Sequence, residues 1–257
     1  MPYDLKGRNV LVTGGSRGLG ALIAEKFAAQ GCNIAINYVS NAERAKQTAE
    51  KIREIGGAGG VKVLVTQGDM GVQSDIINTV KETISGLGGL DIVISNAGWT
   101  KFSQFGDLFA LSEEEWDKCW AVNVKGNLFL LREALSTFNS NPDGGVFMMT
   151  SSVAGVSTSG STMAYSVTKA AGLHLMKCLA QTQGPKIRVN AILPGLLLTE
   201  WGMQFSPEKI KMVKDKAVLK NETNLDDCAD AFIMAAKNSS MTGQKIQVDS
   251  GLFVAAN

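Results

Sequence analysis

Residues 9–20 read NVLVTGGSRGLG, and the fold of the whole chain turns on how that stretch is understood. Val10, Leu11 and Val12 make a short apolar run that ends in glycines. An apolar helical pattern, LGALIAEKFAAQG, follows at once over residues 19–31. Glycines at such a strand-to-helix turn permit a tight bend, let the backbone approach a pyrophosphate, and let the helix pack closely on the strand. The start of the helix then offers unpaired N–H groups and a positive dipole end to an anion. Gly14, Gly18 and Gly20 depart from the strict G-x-G-x-x-G spacing. The turn therefore serves either a dinucleotide or only the reversal of the chain. In the first case Gly14, Ser16, Arg17, Gly18, Leu19 and Gly20 are the candidate phosphate contacts.

Outward from this unit the same alternation repeats. Short apolar runs begin at Asn33, Val61, Asp91, Gly145, Ile187 and Lys245. Most are continuously apolar, as parallel strands covered on both faces should be. Between them lie helical patterns over residues 19–31, 41–56, 73–86, 112–138, 164–182 and 224–238. Regular β-α-β alternation with right-handed crossovers predicts an α/β fold: a doubly wound, Rossmann-type parallel sheet with helices on both faces. No internal repeat or linker divides residues 1–257, so a single domain is expected. One segment breaks the rhythm. Residues 196–223, LLLTEWGMQFSPEKIKMVKDKAVLKNET, form an insertion over one edge and are expected to act as a lid.

Bulk composition narrows the function. Apolar residues are 45% of the chain and charged ones 19%, which is a soluble globular balance. A net charge of +1 builds no basic field for a nucleic-acid backbone. The four cysteines are scattered, and the chain has one histidine, so no metal site or disulfide framework is expected. Reduced thiols, the absence of a signal-peptide pattern in MPYDLKGRNV and the lack of a membrane-length apolar run lead to an expected cytoplasmic location without membrane contact.

The second strand addresses the cofactor. Dinucleotide folds that take NAD carry an acid at its end to bind the ribose 2′-hydroxyl. Here Asn37, Tyr38, Ser40 and Asn41 stand there, and the first acid is Glu43. With no carboxylate to repel it, a 2′-phosphate would be held by Arg17, with Ser40 or Asn41 as neutral donors. That favours NADP(H). The other reading makes Arg17 a solvated loop charge.

Further along, MAYSVTKAAG places Tyr165 and Lys169 four residues apart, one helical turn. Ser152 precedes Tyr165 by thirteen residues, and NVKG begins at Asn123. With TGGSRGLG, the NAG of Asn96–Gly98, YSVTK and LPG, these motifs follow in an order that resembles the short-chain dehydrogenase/reductase family over nearly the whole chain. The resemblance implies a seven-stranded sheet and a catalytic set of Asn123, Ser152, Tyr165 and Lys169. A free tyrosine titrates near 10, and a nearby ammonium favours the phenolate, so Tyr165 is expected to have a lowered pKa and to act as general acid or base. By resemblance Lys169 also binds the nicotinamide ribose, Ser152 orients the substrate carbonyl, and Asn123 holds a water. The same resemblance assigns cofactor contacts to Asp69 and Met70 after the third strand, and to Asn96, Ala97 and Gly98 after the fourth. It adds Tyr165 and Lys169 themselves, and Pro194, Gly195, Leu197 and Thr199 after the sixth. Asn96 is expected to tie sheet backbone together.

The substrate pocket is expected among Trp99, Ser152, Ser159, Met163, Tyr165, Leu196 and Trp201, which suits a mainly apolar molecule with one carbonyl or alcohol. Two functions stand at this point: an NADPH-dependent carbonyl reductase, or a cofactor-binding member of the fold with a non-redox catalytic, sensor or scaffold role. The helices over 112–138 and 164–182 are expected, by resemblance, to join copies into a homotetramer or homodimer.

Overall fold

In the computed structural model, which describes residues 3–57 and 60–254, seven parallel strands form one sheet in the order β3-β2-β1-β4-β5-β6-β7. They are β1 (Asn9–Val12), β2 (Asn33–Tyr38), β3 (Val63–Gln67), β4 (Ile92–Ser95), β5 (Gly145–Thr150), β6 (Ile187–Pro194) and β7 (Lys245–Val248). The helices are α1 (Gly18–Ala29), α2 (Ala42–Gly56), α3 (Gln73–Leu87), α4 (Glu113–Trp120), α5 (Gly126–Ser140), α6 (Met163–Gln183), α7 (Pro207–Lys216) and α8 (Leu225–Lys237).

Strand side chains alternate between two cores, because successive residues of a strand point to opposite faces. Val10, Val12, Ile34, Ile36, Ile92 and Ile94 pack with α1, α2 and α8 on one face. Leu11, Ala35, Val93, Phe147, Met149 and Val189 pack with α3, α5 and α6 on the other. Both faces being covered explains why the strands read as unbroken apolar runs. Successive strands are added outward from β1 on one side and from β4 on the other, so the strand order reverses between β1 and β4. The carboxyl ends of these two strands flank the switch point, where doubly wound sheets form their ligand crevice.

One element differs from the sequence reading. The helix expected over 112–138 is interrupted: α4 and α5 are joined by a π-helical turn, Ala121–Lys125. The segment after β6 is closed at its base by a bond from Thr223 N to Leu196 O, 2.9 Å. Between these ends lie a short 3-10 turn at Gly202–Gln204 and α7, which buries no residue. No helix among the described residues is long and apolar enough to cross a membrane.

Gly20 shows how tightly β1 and α1 are joined. A Cβ there would lie 2.4 Å from Gly14 O and 2.5 Å from the Asn96 amide nitrogen. Neither backbone nor a tethered amide gives way easily. Gly20→Ala is therefore expected to destabilise the fold by about 1–3 kcal/mol, read as a lower melting temperature.

Candidate active site

The glycine turn forms one wall of the crevice. Gly14 and Gly18 take positive φ values of 60° and 55°, which side chains rarely adopt. A Cβ on Gly14 would come 3.2 Å from Ala97 Cα, so the turn lies directly on the loop after β4. Arg17 caps α1 in an extended conformation without a side-chain capping bond to the helix, and the first turn of α1 carries no acid. Its N–H groups and the positive end of its dipole are thus left for an anion. Ser16 is fixed through its carbonyl, which accepts from Thr48 Oγ1 at 2.9 Å, while Leu19 is buried behind the turn.

The residues at the end of β2 divide in their roles. Asn37 is fully buried; its amide oxygen accepts from Gly14 N at 3.3 Å and its amide nitrogen donates to Gly68 O at 3.0 Å. It ties the turn to the end of β3. Tyr38 is half-buried, and Ser40 and Asn41 are exposed. Asn41 also caps α2, accepting from Arg44 N at 2.9 Å. Asp69 accepts from Gly71 N at 2.8 Å, and Met70 is buried beside it.

Arg17 is not a free loop charge. Its guanidinium donates to Glu200 at 2.7 Å, and Arg44 pairs with the other oxygen of the same carboxylate. Neither Arg44 nor Glu200 stood out in the sequence. Arg44 carried a faint signal, its place in the first turn of the helix after β2. Glu200 carried none, because its partners lie far away along the chain.

On the far wall, Asn96 ties three strands together. Its amide donates to Thr13 O at 3.0 Å and its oxygen accepts from Thr150 Oγ1 at 3.2 Å. Gly98 borders the open space: a Cβ there would meet Asn123 Oδ1 at 3.5 Å, Lys169 Nζ at 3.7 Å and the Trp201 ring at 3.9 Å. After β6, Pro194 is buried, and a Cβ on Gly195 would strike Thr223 Oγ1 at 2.5 Å. Leu197 packs on the core, and Thr199 lies against Gly18.

Four side chains expected to act together do converge. Thr162 caps α6 by accepting from Tyr165 N at 3.1 Å, which fixes Tyr165 in its first turn. Lys169 follows one turn later and is buried; its Nζ donates to Thr150 O at 2.8 Å and lies 5.4 Å from the centre of the Tyr165 ring. Ser152 lies beside the phenol, its hydroxyl also accepting from Ala154 N at 3.1 Å. Asn123 sits in the π turn, and such turns gather at functional sites. Its amide donates to Trp99 O at 2.9 Å and to Thr168 Oγ1 at 3.1 Å, while its oxygen accepts from Trp99 N at 2.9 Å. The Asn123 backbone carbonyl accepts from Asn127 Nδ2 at 2.7 Å.

Electrostatics correct one expectation. Burial raises the Tyr165 pKa above its ordinary value, and the Ser152 hydroxyl offsets only part of this. Burial also lowers Lys169 to about 8, with Cys119 weakly opposing. Burial disfavours both the phenolate and the ammonium, which runs against the lowered tyrosine that helical spacing alone suggests.

Aromatic side chains roof the site. Trp201 tilts over Tyr165 with ring centres 6.2 Å apart, and Phe102 meets Trp201 at 6.3 Å and Phe205 at 4.9 Å. Met163 is half-buried at the start of α6. Trp99 lies under Lys118 Nζ at 5.4 Å, Leu196 closes the base of the roof, and Ser159 hydrogen-bonds Ser157 at 3.0 Å. Phe102 and Phe205 are additions that the sequence did not single out.

Comparison with known proteins agrees with this architecture. A family model described as Enoyl-(Acyl carrier protein) reductase matches residues 14–253. An uncharacterized oxidoreductase of Thermotoga maritima is 35% identical over 257 aligned residues, covering 96% of this chain and 98% of that protein. The 3-oxoacyl-(acyl-carrier-protein) reductase FabG of Staphylococcus epidermidis is 29% identical over 250 residues, covering 96% and 99%. A short chain dehydrogenase from Burkholderia cenocepacia, solved in complex with NADP, superposes with a TM-score of 0.88 at 28% identity, covering 97% of this chain and 99% of that one. Sheet order and full-length similarity lead to one assignment: the chain belongs to the short-chain dehydrogenase/reductase family of oxidoreductases.

Proposed function

We propose that the protein is an NADP(H)-dependent carbonyl reductase, transferring hydride between the nicotinamide and a carbonyl or secondary alcohol of a mainly apolar small molecule. The observation that carries this reading is the convergence of Tyr165, Lys169, Ser152 and Asn123 beside the glycine turn, beneath aromatic side chains. The crevice suits the cofactor: glycines that leave no room for a Cβ, an open helix start and two arginines at the end of β2. The NADP-bound relative supports it further.

When bound, the reduced nicotinamide supplies the hydride. Tyr165 holds a proton near neutrality and gives it to the carbonyl oxygen as that oxygen gains charge. Ser152 donates to the same oxygen, an interaction that strengthens as charge develops. Lys169 grips the ribose and returns a proton to Tyr165. Asn123 holds the Trp99 backbone, and its own carbonyl binds a water in the proton path. Trp201, Phe102 and Phe205 exclude water and favour an apolar substrate body. Segment 196–223 closes over the substrate as a lid. We also propose a cytoplasmic homotetramer or homodimer, supported by the exposed apolar Trp120, Leu128 and Val167 on α4, α5 and α6.

The cofactor assignment has a direct test. NADPH is expected to bind roughly ten- to a hundredfold more tightly than NADH, the difference made by charge-assisted contacts to the 2′-phosphate. Arg17→Ala should narrow that gap by weakening NADPH alone. Equal affinities in a fluorescence titration of the unaltered protein would refute the NADP(H) reading.

A further inference from the structure

Three charged groups from three distant parts of the chain meet at the end of β2. Arg17 comes from the β1–α1 turn, Arg44 from the first turn of α2, and Glu200 from the segment after β6. The two guanidinium groups bind the two oxygens of one carboxylate. A point where two cations converge on one small anion is a site suited to an anion. Its place matters as much as its charge: both arginines flank the end of β2, where a doubly wound fold holds the ribose 2′ substituent.

We propose that Arg44 is a second cationic contact for the cofactor's 2′-phosphate, beside Arg17, and that Glu200 is an internal anion competing with that phosphate for both. The inference rests on the NADP(H) reading and extends it to specificity. All three side chains are 40–59% exposed, so water weakens their pairing. A phosphate carries more negative charge than a carboxylate and has three acceptor oxygens, so it wins the exchange. Glu200 remains a constant competitor near neutral pH, since Arg44 first and Arg17 second hold its carboxyl below the usual range. Its neighbours give the exchange a further consequence. Thr199 lies against Gly18 and Trp201 over Tyr165, so Glu200 pins a strap that runs from the glycine turn to the catalytic helix. A dinucleotide without the 2′-phosphate has nothing with which to displace Glu200.

Equilibrium titrations of the full chain test this, with NADPH and NADH as one pair of probes and 2′,5′-ADP and 5′-ADP as the other. Arg44→Gln should weaken NADPH roughly tenfold and leave NADH within about twofold. Glu200→Gln should tighten 2′,5′-ADP by about three- to tenfold, leave 5′-ADP unchanged, and lose most of this gain when combined with Arg44→Gln. All these positions are on the surface, and circular dichroism verifies that each variant is folded. Equal weakening of both dinucleotides by Arg44→Gln, or unchanged 2′,5′-ADP affinity in Glu200→Gln, overturns the proposal. If the unaltered protein discriminates and Arg17→Ala alone abolishes this, the NADP(H) reading stands and the role of Arg44 falls. If the unaltered protein does not discriminate, both fall.

Discussion

Tyr165→Phe is expected to lower turnover by about a hundredfold or more while leaving NADPH affinity within about twofold. Phenylalanine keeps the ring, its tilted packing under Trp201 and its place in the first turn of α6. Only the hydroxyl is lost. Burial holds that hydroxyl protonated, a state suited to giving a proton to a carbonyl and ill suited to taking one from an alcohol. Reduction should therefore outrun oxidation near neutral pH, and oxidation should gain as pH rises. Steady-state rates in both directions, paired with a binding titration, check this. A variant keeping more than about a tenth of the activity is incompatible with Tyr165 as the proton donor.

Lys169→Met is expected to do more damage to function and yet to strengthen the fold. It removes both a ribose contact and the proton source for Tyr165, so turnover should fall by about a hundredfold or more and NADPH affinity by roughly tenfold. Stability should move in the opposite direction. The buried amine has its pKa depressed from 10.5 to about 8, so between these values the unfolded chain binds more protons than the folded one. The penalty for burying the charged amine is therefore fully present below pH 8 and fades as pH rises toward 10.5. Methionine carries no such penalty, although it leaves Thr150 O without its 2.8 Å partner. The net gain at neutral pH should be on the order of 1–3 kcal/mol. It should shrink as pH is raised. Thermal melts of both proteins across this pH range measure it; a variant less stable at every pH would contradict the account.

The fold was legible because its cause is local. Covered parallel strands must be apolar on both faces, and Val10 to Val12 or Ile92 to Ile94 carry that requirement in the chain itself. The glycine turn was legible for the same reason, since Gly14 and Gly18 answer to backbone geometry at their own positions. The π turn was not. Asn123 could be picked out by its motif, but nothing in NVKG tells how its amide bridges Trp99 and Thr168. That Asn37 tethers the glycine turn was not legible either, because a neutral polar residue at a strand end suits a tether or a cofactor contact. The ion pairs of Glu200 depend on how a long segment folds back over the crevice, and no nearby residue encodes that. The direction of the Tyr165 shift was misjudged because helical spacing reveals a neighbouring charge and not the water that burial removes.

The reductase assignment is tested most directly by mixing the purified protein with NADPH and a panel of ketones and aldehydes that includes a 3-oxoacyl thioester, then following loss of the reduced nicotinamide's absorbance. Tyr165→Phe is run in parallel. The account predicts steady consumption with at least one apolar carbonyl compound and none above background in the variant. Saturable NADPH binding without consumption on any member of the panel, or equal consumption by the variant, would contradict it and favour a cofactor-binding protein with a non-redox role.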